Sequence, residues 1–322
     1  MRVGATEGSQ HLALVGTTAS GKSQLALALA QELGDVEIVS VDSMQVYRGM
    51  DVGTAKLSLD ERAAVPHHLI DIADPAEEFT VARFQATATD AIAGIERRGR
   101  RALLVGGTGL YLRAVVDELD VPGQWPQVRA ELEAHVEDGG PGALEALYLR
   151  LAELDPLAAS RMLPTNRRRV LRALEVTLGS GRPFSGFGPG LQAYPPIRYQ
   201  MVGISLSPEV VARRIEERYR AQIQAGFVDE VGRLAARPAG LSRTARQALG
   251  YRELLGHVEL GVPLADAVAE AIRRTKRFSR RQRVWFRRDP RISWYTPESD
   301  AVNPLAAVPA ILGKWVQCRP SA

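Results

Sequence analysis

Apolar positions along the chain fall into two patterns. Short continuous runs occur at "HLALVG" (11–16), "VEIVSVD" (36–42), "HHLIDI" (67–72) and "RALLVGG" (101–107), each running into Gly or Asp. Between them the apolar residues recur at helical spacing, in "KSQLALALAQEL" before Gly34, "VARFQATATDAIAGIERRG" ending at Gly99, and "GLYLRAVV". Continuous apolar runs suit strands covered on both faces. Strands of that kind alternating with helices predict an α/β core with a mostly parallel sheet.

The pattern changes at the breaker stretch "VPGQWPQ". From about 124 to 180 only helical spacing is present, in "PQVRAELEAHVEDG", "GALEALYLRLAELD", "PLAASRM" and "NRRRVLRALEVTLGS". The Gly- and Pro-rich "GSGRPFSGFGPGLQAYPP" (179–196) then reads as a loop. "IRYQMVGISL" resumes a strand, and Ser207-Pro208 supplies an N-cap with Pro at the first position of a helix. The expected organisation is a core first part at 1–120, an inserted all-helical subdomain at 121–197, and a core second part at 198–322 with basic C-terminal helices and a last strand at "RISWYT".

Composition narrows the class. No apolar run reaches the eighteen residues of a membrane-spanning helix, and "MRVGATEGSQ" lacks the apolar centre of a signal peptide. Cys318 is the single cysteine, which excludes an internal disulfide and a multi-cysteine zinc site. These features predict a cytoplasmic protein without membrane association, and the lack of a coiled-coil pattern predicts a monomer. Net charge is only +4, so the placement of charge carries more than its sum. "RMLPTNRRRVLRALE" has five arginines before its first acid, and "RRTKRFSRRQRVWFRR" (273–288) has nine basic residues, no acid, and Phe278, Trp285 and Phe286 among them. Basic residues interleaved with aromatics suit RNA backbone contact and base stacking; a solvated helix face over core aromatics is the other way to read them.

The candidate chemistry lies at strand ends. "GTTASGKS", comprising Gly16, Thr17, Thr18, Ala19, Ser20, Gly21, Lys22 and Ser23, matches the G-x-x-x-x-G-K-[ST] phosphate loop between a strand and a helix. Successive amide N–H groups and the helix N-terminus surround an anion, Lys22 adds a positive charge, and Ser23 is placed to hold Mg²⁺. The core is thus expected to be P-loop NTPase-like. Asp42, at the end of the second strand, reads as a magnesium partner, as a cap on the following turn, or as a base aimed at a substrate, and Asp71 competes as a strand-end acid. The fourth strand ends without a carboxylate, and no N-K-x-D guanine-reading motif is present, which argues against a motor ATPase and a GTPase. "GGTGLYLRAV" (106–115) places Thr108 at another strand end, where open α/β sheets bind their ligands. His67 and His68 read as packed residues rather than catalytic ones.

Taken in order, "LVGTTASGKSQLALALA", "VSVDSMQVYRGMDVGTAK", "PHHLIDI", "LLVGGTGLYLRAV", "RVLRALEV", "RIEERYRAQIQAGFVDEV" and "QALGYREL" closely resemble the bacterial tRNA dimethylallyltransferases, from about residue 11 to about 295. The resemblance implies transfer of a dimethylallyl group from dimethylallyl diphosphate to the N6 amine of the adenine just 3′ of the anticodon, in tRNAs reading codons that begin with U. It implies that the P-loop holds the donor diphosphate, that Asp42 is the base on N6, that Thr108 contacts the same adenine, and that Arg218 pairs with the diphosphate. The tRNA anticodon stem-loop would meet Asp42, Ser43, Met44, Gln45, Thr108, Arg129, the segment Arg168, Arg169, Val170, Leu171 and Arg172, and the segment Arg246, Gln247, Ala248, Leu249, Gly250, Tyr251 and Arg252. A P-loop small-molecule kinase, an adenylate isopentenyltransferase and a non-enzymatic RNA-binding ATPase stand as alternatives.

Overall fold

The computed structural model describes residues 11–297 and 304–316. Cys318 and the N-terminal "MRVGATEGSQ" lie outside the described residues. The chain divides into two compact units, one formed by Met1–Val116 and Pro196–Ala322, the other by Asp117–Pro195.

The larger unit begins with β1 (His11–Gly16), α1 (Lys22–Leu33), β2 (Val36–Val41), α2 (Leu59–Ala64), β3 (His67–His68), α3 (Val81–Arg97), β4 (Arg101–Gly106) and α4 (Gly109–Val116). The smaller unit holds α5 (Pro126–Asp138), α6 (Ala143–Leu154), α7 (Pro156–Ser160) and α8 (Arg167–Ser180). The larger unit resumes with β5 (Tyr199–Ile204), α9 (Pro208–Gln224), α10 (Phe227–Ala235), α11 (Arg243–Arg246), α12 (Tyr251–Leu260), α13 (Leu264–Arg287), β6 (Ile292–Tyr295) and α14 (Pro304–Val316).

Its strands form one six-stranded sheet in the order β3-β2-β4-β1-β5-β6, with every pairing parallel. Residues of β1, β2 and β5 supply both faces. Ala13, Val15, Val39 and Met201 enter the cluster that packs with α3, α4, α9 and α12, whereas Leu12, Leu14, Ile38 and Val202 enter the one packed with α1 and α14. Burial on both sides is why these strands read as unbroken apolar runs.

One strand is much shorter than its sequence suggests. "HHLIDI" pairs only at His67 and His68, because Leu69 and Asp71 adopt φ 65° and 59° and turn the chain out of the extended conformation. The Asp71 carboxylate then accepts from Lys56 Nζ at 2.5 Å and from Arg62 at 2.8 Å, and so sits in an ion-paired loop.

The smaller unit is a helical cluster with its own core. Leu132, Leu147, Leu151, Val170, Leu171 and Leu174 are buried together. Each fully buried leucine contributes roughly 1.5–3 kcal/mol. Buried Asp155 caps α7 through Ala158 N at 2.9 Å and holds Ser185 N at 2.7 Å.

Candidate active site

Because every pairing is parallel, the C-terminal ends of the strands lie along one edge of the sheet, and the candidate residues collect there. β1 leaves the sheet at Gly16, and α1 begins at Lys22. Between them Ala19 (φ 59°) and Gly21 (φ 87°) are left-handed, which curls the loop back over the start of the helix. Lys22 Nζ donates to Thr17 O at 2.7 Å. Thr18 is held twice: its N–H donates to Gln282 Oε1 at 2.8 Å, and its hydroxyl accepts from the Arg218 guanidinium at 2.9 Å. Ser20 Oγ and Arg218 Nε are buried with no hydrogen-bond partner among the described residues. Desolvation pulls the Lys22 ammonium down to about 8, helped by Arg218 and opposed by Asp42. Desolvation also lowers Arg218, against the opposing pull of Tyr219 and Asp42. Two desolvated cations and an unsatisfied hydroxyl around an amide-rich loop are an arrangement suited to a polyphosphate.

Asp42 follows β2 directly and is half-buried. Its Oδ1 accepts from Met44 N at 2.8 Å and Gln45 N at 3.3 Å, so one carboxylate oxygen is fixed by backbone amides. Ser43 N donates to the Thr108 hydroxyl at 3.3 Å, and Thr108 N donates to Val41 O at 3.4 Å. These contacts set Thr108 beside Asp42 at neighbouring strand ends. Gly106 permits the approach, since a Cβ there would lie 2.0 Å from Val41 O. Gly109 serves likewise, as its Cβ would fall 2.2 Å from Trp285 Nε1. A carboxylate and a hydroxyl thus lie at the same end of the sheet as the phosphate loop, with Asp42 close enough to act on the charges of Lys22 and Arg218, one set suited to a proton-bearing acceptor and the other to an anionic donor.

The comparisons agree with that pairing of functions. The family described as IPP transferase matches residues 45–289. A tRNA dimethylallyltransferase of Acidothermus cellulolyticus is 50% identical over 309 residues, covering 95% of this chain and 94% of the relative. The chain belongs to the IPP transferase family. Among solved structures, the full-length tRNA isopentenylpyrophosphate transferase of Bacillus halodurans is similar at TM-score 0.67 and 37% identity, covering 96% of this chain and 97% of that one. A eukaryotic dimethylallyltransferase captured acting on tRNA is similar at TM-score 0.77 and 26% identity, covering 97% of this chain and 81% of that one. The fold is therefore that of the IPP transferases, a P-loop NTPase-like α/β core. The relatives' names favour the tRNA-modifying prenyltransferase reading over a kinase or an adenylate-modifying enzyme.

The RNA candidates of this family member are placed unevenly. In the larger unit Arg246 pairs with Glu259, Arg252 donates to Gln247 Oε1 at 3.1 Å, and Gln247 is exposed. Ala248 and Tyr251 are buried, and Leu249 is half-buried. Tyr251 donates to Glu230 Oε1 at 2.6 Å, and burial with that carboxylate pushes its phenol well up. Gly250 has φ 85°, and a Cβ there would lie 2.8 Å from Phe227. In the smaller unit Arg168 and Arg169 are exposed, whereas Val170 and Leu171 are buried at 0% exposure, so their side chains serve the helical core. Arg172 donates to buried Glu175 at 2.6 Å and to the carbonyls of Pro122 and Gly123 at 2.9 Å. Arg129 donates to Glu133 at 2.8 Å and lies 4.0 Å from Glu175. The basic run on α13 separates by face. Thr275, Ser279, Gln282 and Phe286 point inward, while Arg273, Arg277, Arg280, Arg281, Arg287 and Arg288 are exposed.

Two further residues organise the site and do not stand out in the sequence. Gln282 spans the phosphate loop and the Gly107 carbonyl, to which its Nε2 donates at 2.8 Å. Buried Glu230 accepts from the amides of Asp51, Val52 and Gly53 at 2.9, 2.8 and 3.1 Å, clasping the loop that follows the Asp42 segment. The available signal for Gln282 was its place on the inner stripe of α13; for Glu230 it was an acid on the apolar face of α10. Among the described residues no group of three or more His, Cys, Asp or Glu forms a metal cluster. No helix among them is long and apolar enough to cross a membrane.

Proposed function

We propose that this crevice transfers a dimethylallyl group from dimethylallyl diphosphate to N6 of the adenine just 3′ of the anticodon, in tRNAs reading codons that begin with U. The products are N6-dimethylallyladenosine and diphosphate. The observation that carries the reading is the joint presence, at one sheet edge, of a cation-lined phosphate loop and a carboxylate–hydroxyl pair.

Each reactant needs one half of that arrangement. The exocyclic amine of adenine is a poor nucleophile because its lone pair is delocalised into the ring. A base that takes its proton as the new bond forms lowers the barrier, and Asp42 has this role. Its Oδ1 is held by two amides, leaving Oδ2 to face the acceptor. Thr108 hydrogen-bonds the same base and fixes its orientation. As N6 bonds to the allylic carbon, the carbon–oxygen bond to the diphosphate breaks, and the electron pair leaves on oxygen. Lys22, Arg218 and the loop amides stabilise that charge. The target base has to leave its stack to reach this depth.

Magnesium fits the donor set. It is a hard cation that keeps water and phosphate oxygens as ligands and needs few protein groups, and the Ser23 hydroxyl at the first turn of α1 is one such group. When bound, the ion neutralises charge on the diphosphate. Exposed Arg168 and Arg169 and the outer arginines of α13 serve the anticodon stem-loop by backbone contact. We place the enzyme in the cytoplasm and read it as a monomer.

The test is a reaction with labelled dimethylallyl diphosphate and an unmodified anticodon stem-loop. Label is expected on the adenine 3′ of the anticodon, without ATP. ATP hydrolysis with no label on the RNA would overturn the assignment.

A further inference from the structure

Gln282 is the only residue of α13 that hydrogen-bonds the phosphate loop among the described contacts, and it uses both ends of its amide. The oxygen accepts from Thr18 N at 2.8 Å, and the nitrogen donates to Gly107 O at 2.8 Å. The side chain is 7% exposed, so these bonds face little competition from water. Gly107 makes room for it, since a Cβ there would lie 2.4 Å from Gln282 Nε2. Thr18 belongs to the loop that receives the donor, and Gly107 precedes Thr108, which stands beside Asp42. The amide therefore ties the donor half of the crevice to the acceptor half across the end of β1 and β4. Only a planar group with an acceptor and a donor at this separation satisfies both ends.

We propose that Gln282 is a positioning residue for the transfer reaction, setting the gap between the phosphate loop and the turn that carries Thr108. The role rests on the functional reading above. Gln282 touches neither reactant in this scheme; it acts through Thr18 and Gly107. A misplacement of about 1 Å between reacting groups costs on the order of a hundredfold in rate, so the residue acts on turnover rather than on affinity.

The test separates rate from binding. In Gln282→Met the single-turnover rate with dimethylallyl diphosphate and an unmodified anticodon stem-loop is expected to fall ~30-fold, with affinity for inorganic diphosphate and for the stem-loop within ~3-fold of wild type. Gly107→Ala pushes the amide aside without altering it and is expected to reproduce that split. Gln282→Glu supplies a pH signature. A protonated carboxyl accepts from Thr18 N and donates to Gly107 O as the amide does, whereas the ionised form sets two acceptors against each other. The rate of Gln282→Glu relative to wild type should therefore rise as pH falls from about 8.5 to about 6, because burial against a carbonyl raises the carboxyl's pKa. A methionine variant within ~3-fold of the wild-type rate, a loss of diphosphate binding equal to the loss of rate, or a pH-independent ratio would each overturn the proposal. Wild-type enzyme that transfers no label sinks the functional reading and this role with it; active wild type with any of those three outcomes sinks this role alone.

Discussion

Around β1, β2 and β4 the two edges of the sheet treat charge in opposite ways. At the edge where the strands begin, charges are matched. Glu37 of β2 takes two hydrogen bonds from Arg98, at 2.9 and 2.6 Å, and one from His68 at 2.7 Å. Arg101 of β4 grips Asp35 at 2.7 and 2.6 Å, and His11 of β1 meets Glu96 at 2.8 Å. The Arg98 guanidinium, helped by His68 and opposed by burial, holds the Glu37 carboxyl down at about 2. At the edge where these strands end, Lys22 and Arg218 are desolvated with no carboxylate in contact among the described residues, and Asp42 is bonded by amides instead. In the His11–Glu96, Arg98–Glu37 and Arg101–Asp35 pairs one side chain is at most 11% exposed and the other is 40–49% exposed, so the pairing satisfies the buried group while its partner keeps contact with water. Buried cations without a carboxylate partner weaken the fold locally and are suited to a ligand that brings the missing charge. One sheet carries both, and the polarity of parallel strands keeps them apart.

The sharpest way to break the contrast is at Asp42. Asp42→Asn is expected to lower the single-turnover transfer rate by about a thousandfold, within the range typical of a lost general base, with affinity for the donor changed less than ~3-fold. Collapse of donor affinity with surviving chemistry would instead make Asp42 a metal partner.

Lys22→Met comes next. Donor affinity, measured by titration with dimethylallyl diphosphate, is expected to drop by about a hundredfold, as for loss of a buried charge-assisted contact. The melting temperature of the unliganded protein should hold or rise, because a desolvated ammonium has been removed. The wild type has a pH signature of its own. Lys22 titrates near 8, so it is charged at neutral pH and loses its charge as pH rises through that value. Donor affinity should weaken above pH 8, and this decline should be absent from Lys22→Met.

At the opposite edge the expected effect moves from activity to stability. Glu37→Gln should destabilise the fold by about 1–2 kcal/mol at neutral pH, read by denaturant unfolding, while the rate per folded molecule stays at wild type. The sign with pH follows from the lowered pKa. The Glu37 contribution is complete above the ordinary carboxyl value and is lost as pH falls toward about 2. The gap between the two proteins should therefore narrow below about pH 4.5.

The smallest effect is on the outer face of α13. Arg280→Ala should weaken stem-loop binding only a few-fold and reduce the slope of log affinity against log salt by about one, with the donor site untouched. A salt-independent wild type would remove the electrostatic role of that face.

Much of the candidate site is legible because its residues are local in the chain. The phosphate loop, Asp42 and Thr108 each sit within a few residues of the end of an apolar run, and a parallel sheet brings such ends to one edge. Arg218 is one arginine among several on α9 and is a candidate only through the family resemblance; the structure sets it against Thr18 of the phosphate loop. The third strand was read too long, since apolar character alone does not reveal the left-handed turns at Leu69 and Asp71. Val170 and Leu171 were read with their arginine neighbours as one RNA-binding segment, yet helical geometry sends them inward while Arg168 and Arg169 face out.

By itself the sequence determined the α/β alternation, the helical insertion, the glycine-rich loop between β1 and α1 and the acid that follows β2, because each depends on hydrophobic period or on backbone chemistry within a short window. Only the tertiary structure decided which charges are matched by carboxylates and which are desolvated without one among the described residues. It joined Gln282 to Thr18 across 264 positions and Glu230 to Val52 across 178. Hydrogen bonds between side chains and backbone so far apart leave no periodic trace, because they depend on where packed helices bring an amide or a carboxylate to rest.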